Sequence, residues 1–268
     1  MKKSRRTFLK IAGVSALGLG TGLGAKPVLN AFASSEKHAQ TTEVKMINGK
    51  DALTAKRWGM VIDTRKIHSA EDLEPVFEVC NKIHNIPHHD NKNHEIKWVW
   101  EEKFENAFPG EYKYLNDRIK HLPFPVLCNH CEDPPCCRAC PTKATFKRES
   151  DGIVLMDFHR CIGCRFCMAA CPFGARSFNF VDPHTALEES DINKEFPTRM
   201  KGVVEKCNFC AERLAVGKMP ACVEASNGII AFGDLENPES EVRKLLKSNY
   251  AIQRKSGLGT EPSVYYIV

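Results

Sequence analysis

Beyond its first 33 residues the 268-residue chain has almost no net charge, with 32 basic residues against 33 acidic ones. The formal +5 of the whole sequence comes from Lys2, Lys3, Arg5, Arg6, Lys10 and Lys26, in a stretch without Asp or Glu. A near-neutral remainder gives no electrostatic reason to bind nucleic acid or an anionic membrane surface. Past residue 25 no segment is long and apolar enough to cross a bilayer. A phosphate-binding glycine loop, a nucleophile–base constellation and a carboxylate pair with a role are all missing. What the chain has in excess is cysteine. There are thirteen, twelve between Cys128 and Cys222, with Cys80 alone upstream.

The stretch that organises them is Cys161-Ile-Gly-Cys164-Arg-Phe-Cys167-Met-Ala-Ala-Cys171-Pro172. Its spacing, C-x2-C-x2-C-x3-C-P, is the bacterial ferredoxin run, in which three thiolates wrap one [4Fe–4S] cube and the fourth ligates a neighbouring one. It therefore demands a partner. Cys128-Asn-His-Cys131-Glu-Asp-Pro-Pro-Cys136-Cys137-Arg-Ala-Cys140-Pro141 is the same motif with two extra residues before the third ligand. A third set follows: Cys207-Asn-Phe-Cys210, then Cys222.

Sending each fourth Cys to the other cube closes Cys128, Cys131 and Cys136 with Cys171, and Cys161, Cys164 and Cys167 with Cys140. Cys207, Cys210 and Cys222 then need one more thiolate. Cys137 stands inside a motif already complete, so Cys80 is the natural donor. The count closes at three [4Fe–4S] clusters and twelve ligands. Structural zinc also uses C-x2-C pairs, but a zinc ribbon has no need of three-plus-one spacing followed by proline. With four thiolates on each cube no iron is left open to a substrate, which points to electron transfer and to no catalytic residue.

Ser4-Arg5-Arg6-Thr7-Phe8-Leu9-Lys10, a Gly/Ala-rich apolar stretch over 11–25 and Ala31-Phe32-Ala33 match a twin-arginine export leader over residues 1–33. The stretch is too short and Gly-rich to span comfortably, though retention of the leader as a tether stays open. The leader resolves a conflict. Exported cysteines usually pair as disulfides, whereas this route carries folded proteins and lets clusters be built in the reducing cytoplasm. The chain is thus expected at the extracytoplasmic face of the cytoplasmic membrane.

Residues 34–55 read as a linker. A strand is expected over Arg57–Asp63, and a helix over Glu71–Lys82 with Leu73, Val76, Phe77 and Cys80 on one face. Residues 83–127 look like an insertion with a strand near Ile96–Trp100. Strands at Thr145–Glu149 and Ile153–Asp157 flank the hairpin signal Ser150-Asp151-Gly152, and another lies at Ser177–Val181. The repetition of motif, proline and strand predicts an α+β fold of two fused ferredoxin-like modules related by pseudo-twofold symmetry. These occupy residues 56–236, with a docking arm over 237–268.

From Trp58 to Leu258-Gly-Thr-Glu-Pro-Ser-Val-Tyr-Tyr266 the plan resembles the iron–sulfur subunits of membrane oxidoreductases of the dimethyl sulfoxide, polysulfide, tetrathionate and nitrite reductase systems. In that family a first four-Cys motif follows a strand like Met60–Asp63. Here Ile67 stands where its first Cys would be, 68–79 holds none, and only the fourth survives, as Cys80. Ser226 stands where the family has its last Cys. The resemblance implies that these four missing ligands share one cube, so a single cluster is lost and three kept. It implies further that the lost cube is the one facing a molybdopterin subunit, and that Cys161, Cys164, Cys167 and Cys140 hold the cube nearer the membrane. Pro141-Thr-Lys-Ala-Thr-Phe-Lys-Arg148, with the leader and the lost motif, is most similar to the exported subunits of DsrMKJOP-type complexes. That implies a NrfD-like integral membrane partner handling menaquinol, a multihaem cytochrome c partner and coupling to sulfite reduction. The alternatives are the electron-transfer subunit of an exported molybdopterin oxidoreductase and a free ferredoxin-like carrier.

Among weaker features, His84, His88, His89, Asp90 and His94 are irregularly spaced in a polar segment and read as a solvated loop. Cys137 reads as a small packed side chain. His130, Arg138, Arg165 and Lys206 lie in or beside the ligand loops, where positive charge and N–H donors would raise a cluster's potential.

Overall fold

The computed structural model describes residues 49–110 and 114–268. The leader expected over 1–33, and residues 34–48 of the expected linker, lie outside the described residues. Trp58–Asp63 forms β1, with every residue buried. An unbroken apolar run is what a central strand covered on both faces requires. A 3₁₀ turn at Ala70–Asp72 precedes α1 (Glu74–Ile83). The helix starts three residues later than its apolar spacing suggests because Pro75 takes the first turn, where a missing N–H costs nothing. Leu73, Val76 and Cys80 face the core.

The segment 83–127 is not an irregular insertion but carries β2 (Val99–Lys103), α2 (Phe104–Ala107), α3 (Asp117–His121) and β3 (Pro123–Leu127). β2 and β3 pair antiparallel from Val99↔Leu127 to Lys103↔Pro123. Phe104, Phe108 and Phe124 pack edge and face against one another, and Phe108 meets Tyr266 edge-on. β3 delivers the chain directly to Cys128.

There follow α4 (Pro135–Arg138), the hairpin of β4 (Thr145–Lys147) and β5 (Val154–Met156), and α5 (Phe166–Ala170). β6 (Ser177–Phe178) pairs antiparallel with β7 (Val204–Glu205). Then come α6 (Ala211–Leu214), α7 (Ala221–Ala225), β8 (Ile230–Asp234), α8 (Glu241–Ser248), β9 (Ala251–Ile252) and β10 (Val264–Ile267). The largest sheet has the order β8-β1-β10-β9, with β1 and β10 parallel and the outer pairings antiparallel. Over 237–268, where a docking arm is expected, α8 packs on this sheet and β9 and β10 are two of its strands. Tyr266 is fully buried and donates from its hydroxyl to the Pro125 carbonyl at 3.1 Å.

A buried ion pair and its hydrogen bonds join segments distant in sequence in this mixed α/β fold. Arg199 meets Glu205 at 2.7 Å with both side chains wholly buried. Glu205 also accepts from Trp98 Nε1 at 2.7 Å and Asn179 Nδ2 at 2.5 Å, while Arg199 donates to the carbonyls of His84 and Asn85. No helix among the described residues is long and apolar enough to cross a membrane.

Candidate metal centre

All thirteen cysteines lie among the described residues, and none is in a disulfide. They sit in loops whose shape the ligand spacing dictates. Each two-residue gap between cysteines must curl, and each carries left-handed backbone: His130 in the first motif, Gly163 and Arg165 in the second, Phe209 and Cys210 in the third. At Gly163 the demand is strict, since φ is +69° and a Cβ would stand 2.4 Å from the Gly202 carbonyl oxygen.

The thiols gather in three sets. Cys80, on the core face of α1, lies with Cys207, Cys222 and Cys210. Burial and then those three thiols push it well above the ordinary thiol value. Cys222 is pushed up to about 11 by burial, and Cys210 is raised by burial, Cys222 and Glu212. In the second set Cys131 is pushed up to about 12 by burial, with Cys128, Cys136 and Cys171 adding to it. Cys128, Cys131, Cys136 and Cys171 line one cavity, whose other walls include Pro134, Val154, Phe173 and Arg176. In the third set Cys167 is raised by burial, against the lowering effect of Arg176, with Cys136, Cys140 and Cys161 adding to the rise. Cys164 is half-buried in the same loop. Burial works to raise Cys140 too, but the Thr145 amide at 3.5 Å and contacts from Thr142 outweigh it and lower that thiol.

The Cys128 set adjoins both others: Cys128 acts to raise Cys207, and Cys136 acts to raise Cys167.

The donor chemistry fits iron–sulfur clusters. Desolvated thiols with raised proton affinity are poor nucleophiles in the free state. A bound metal deprotonates such a thiol outright. Two buried cations stand beside the middle set without a carboxylate partner among the described residues. Arg176, 5 % exposed, donates from Nη2 to Cys136 Sγ at 3.0 Å and from Nη1 to Thr145 Oγ1 at 3.0 Å. Lys206, 2 % exposed, donates to the carbonyls of Val154 and Cys207. Burying a charge is costly unless something compensates it, and an anionic thiolate cluster would. The Cys137 S–H leads in lowering Cys136, with both cations assisting.

The other residues singled out from the sequence divide. His130 is buried, stacks on Phe209 at 3.6 Å and accepts from the Val154 amide. Burial, Lys206 and Arg176 hold it well below the usual imidazole value. Arg138 and Arg165 are exposed, with Arg165 lying over the Phe178 and Phe180 rings. Cys137 is half-buried against Cys136.

His84 corrects the reading of a solvated histidine loop. Only His88 and Asp90 of that group are exposed, while His84 is buried, stacked on Trp98 at 4.3 Å, with Nε2 2.9 Å from Glu212. Its Nδ1 lies 3.6 Å from Cys80 Sγ. Donor atoms of His84, Cys210 and Glu212 fall within 4.8 Å of one another, but both imidazole nitrogens already have protein partners. Its spacing four residues after Cys80 was the available signal. Arg176 and Glu212 escaped sequence reasoning. Arg176 follows Cys171 by five residues, between the buried Ala175 and Ser177, and an arginine in such a run is the cue.

Where the family resemblance places a fourth cube, the structure has packed core. Ile67, Leu73, Val76 and Ser226 are each at most 1 % exposed, the three apolar ones within the main cluster. Ser226 Oγ donates to the Val223 carbonyl at 2.8 Å and accepts from the Ile230 amide at 3.1 Å.

Residues 119–184 match the family model of a 4Fe-4S dicluster domain. Over 98 % of its length the chain is 37 % identical to 97 % of iron-sulfur subunit 1 of an Hdr-like menaquinol oxidoreductase from Archaeoglobus fulgidus. It is 38 % identical to the iron-sulfur cluster-binding subunit of menaquinone reductase from Nitratidesulfovibrio vulgaris, over 79 % of this chain and 88 % of that one. It is 34 % identical to a selenate reductase subunit from Mesobacillus selenatarsenatis, over 98 % and 97 %.

Proposed function

Because the chain belongs to the family of 4Fe–4S iron–sulfur subunits that these relatives represent, we propose that it is the electron-transfer subunit of a quinone-linked membrane redox complex. In this reading it holds three [4Fe–4S] clusters on the twelve cysteines other than Cys137, in two ferredoxin-like halves within residues 56–236. When bound, the clusters supply one-electron carriers at successive positions. The chain's own residues hold them in order and keep water away: the Cys80 set at one end, the Cys128 set between, the Cys161 set at the other. What supports the reading is the gathering of buried thiols around Cys80, Cys128 and Cys161, the Cys128 group adjoining the other two, with Ile67 and Ser226 packed in the core.

The partners we propose are a NrfD-like integral membrane subunit that exchanges electrons with menaquinol and a multihaem cytochrome c. The chain would be DsrO of a DsrMKJOP-type complex of sulfur metabolism, exported by the twin-arginine route to the extracytoplasmic face. The menaquinol and menaquinone relatives support a quinone-linked role. A second reading, the electron-transfer subunit of a molybdopterin reductase, is favoured by the likeness to the selenate reductase chain. The absent fourth cube, which in the resemblance faces that catalytic subunit, weighs against it.

Isolation from native membranes in mild detergent, with haem c and molybdenum assayed on the same material, separates the two. A quinone-reactive membrane protein with haem c and no molybdenum is expected. A stoichiometric molybdenum subunit would overturn the first reading in favour of the second.

A further inference from the structure

The middle thiol set has a buried guanidinium donating to one of its own sulfurs, and that guanidinium also acts, without such a bond, on Cys167 of the Cys161 set. Arg176 is 5 % exposed, and its guanidinium bridges two anchors: Cys136 Sγ at 3.0 Å and Thr145 Oγ1 at 3.0 Å, the latter fixed at the start of β4. A further contact to Met156 Sδ at 3.8 Å, on β5, completes its seat. Its partners are sulfurs and a hydroxyl, and it makes no ion pair among the described residues. Lys206, buried nearby, reaches only carbonyl oxygens, those of Val154 and Cys207. The end sets are built differently. The Cys80 set has the Glu212 carboxylate beside it, paired with His84. The Cys161 set has Arg165, which is exposed and directed over Phe178 and Phe180.

Adding an electron to a thiolate-bound cluster adds negative charge. A cation held in a dry site, donating an N–H to a ligand sulfur, stabilises that added charge and raises the potential. The same guanidinium facing water would be screened. Resting on the cluster reading above, we propose that Arg176 tunes the middle cluster and makes it the most oxidising of the three. One electron, donated by a neighbouring cluster, then settles on the Cys128 set, and no proton need accompany it because the compensating charge is already built in. The chain is thus a wire with a well at its centre, and an electron from either end finds the middle position filled first.

The test is an EPR-monitored redox titration of the anaerobically purified full chain, unaltered and as Arg176→Met, Arg176→Lys and Lys206→Met, with iron and sulfide counted on each sample. In Arg176→Met one couple should fall by about tenfold in its reduction equilibrium, ~59 mV for one electron, the couple of the Cys161 set, which Arg176 reaches at Cys167, should fall by less, and that of the Cys80 set should stay in place. The couple that falls should be the first reduced in the unaltered chain. Arg176→Lys, which keeps the charge and loses the fork, should fall by less. Should Arg176→Met lose iron, Lys206→Met, which removes a cation acting on both Cys136 and Cys207, must lower the first-reduced couple, and the couple of the Cys80 set falls with it. Intact clusters whose potentials do not move, or a larger fall in a couple that is not the first reduced, would overturn the inference. Absence of iron and sulfide from the unaltered chain would instead overturn the cluster reading beneath it.

Discussion

Cys80 is the residue on which the ligand count turns. The resemblance makes it the last remnant of a motif whose first position holds Ile67 and whose stretch 68–79 has no Cys, and its thiol lies with Cys207, Cys210 and Cys222. Cys80→Ser is expected to remove about a third of the iron and one EPR-active centre, while Cys137→Ser removes none. Equal losses in the two variants would show the fourth thiolate misassigned. The Arg199–Glu205 pair belongs at the same scale. Glu205→Gln leaves a wholly buried guanidinium uncompensated, at a cost of about 3–5 kcal/mol. An anaerobic guanidinium chloride titration should show a matching fall in midpoint. The cysteine spacing that motivates the ligand proposal is legible in the sequence, because a cube dictates such spacing. His84 was not. Four residues beyond Cys80 it could face in or out, and only Trp98 and Glu212, 14 and 128 positions on, decide.

At the scale of elements, β1, α1 and the β4–β5 hairpin could be read from local pattern: an apolar run, helical spacing, and Ser150-Asp151-Gly152 between short strands. β10 could not, because its partner β1 lies some 200 residues earlier and parallel pairing leaves no local turn to announce it. β3, with prolines at 123 and 125, also hid its strand character behind residues that rarely enter sheets. The consequence is a test of the C-terminal segment. Tyr266→Ala should destabilise by about 3–5 kcal/mol, lowering the melting temperature by roughly 2–4 °C per kcal/mol. Tyr266→Phe, which loses only the hydrogen bond to Pro125, should cost about 1 kcal/mol. A melt unchanged in Tyr266→Ala would mean that the segment contributes nothing to the core. The second motif's loop offers a sharper case. Gly163→Ala puts a methyl against the Gly202 carbonyl in left-handed backbone, and should cost the chain about four iron atoms while the other centres persist.

At the scale of the whole molecule, the described residues form short strands and short helices joined by the cysteine-bearing loops. The regular elements are brief because the loops between them carry the ligands, and each loop is fixed by what it would bind. The central claim is that the chain holds three cubes and no fourth. Iron and acid-labile sulfide per chain, measured on anaerobically purified full-length protein with zinc assayed alongside, test it most directly. The account predicts about twelve iron and about twelve sulfide for three cubanes. About sixteen iron would mean a fourth site despite the packing around Ile67 and Ser226, and stoichiometric zinc without sulfide would contradict the account altogether.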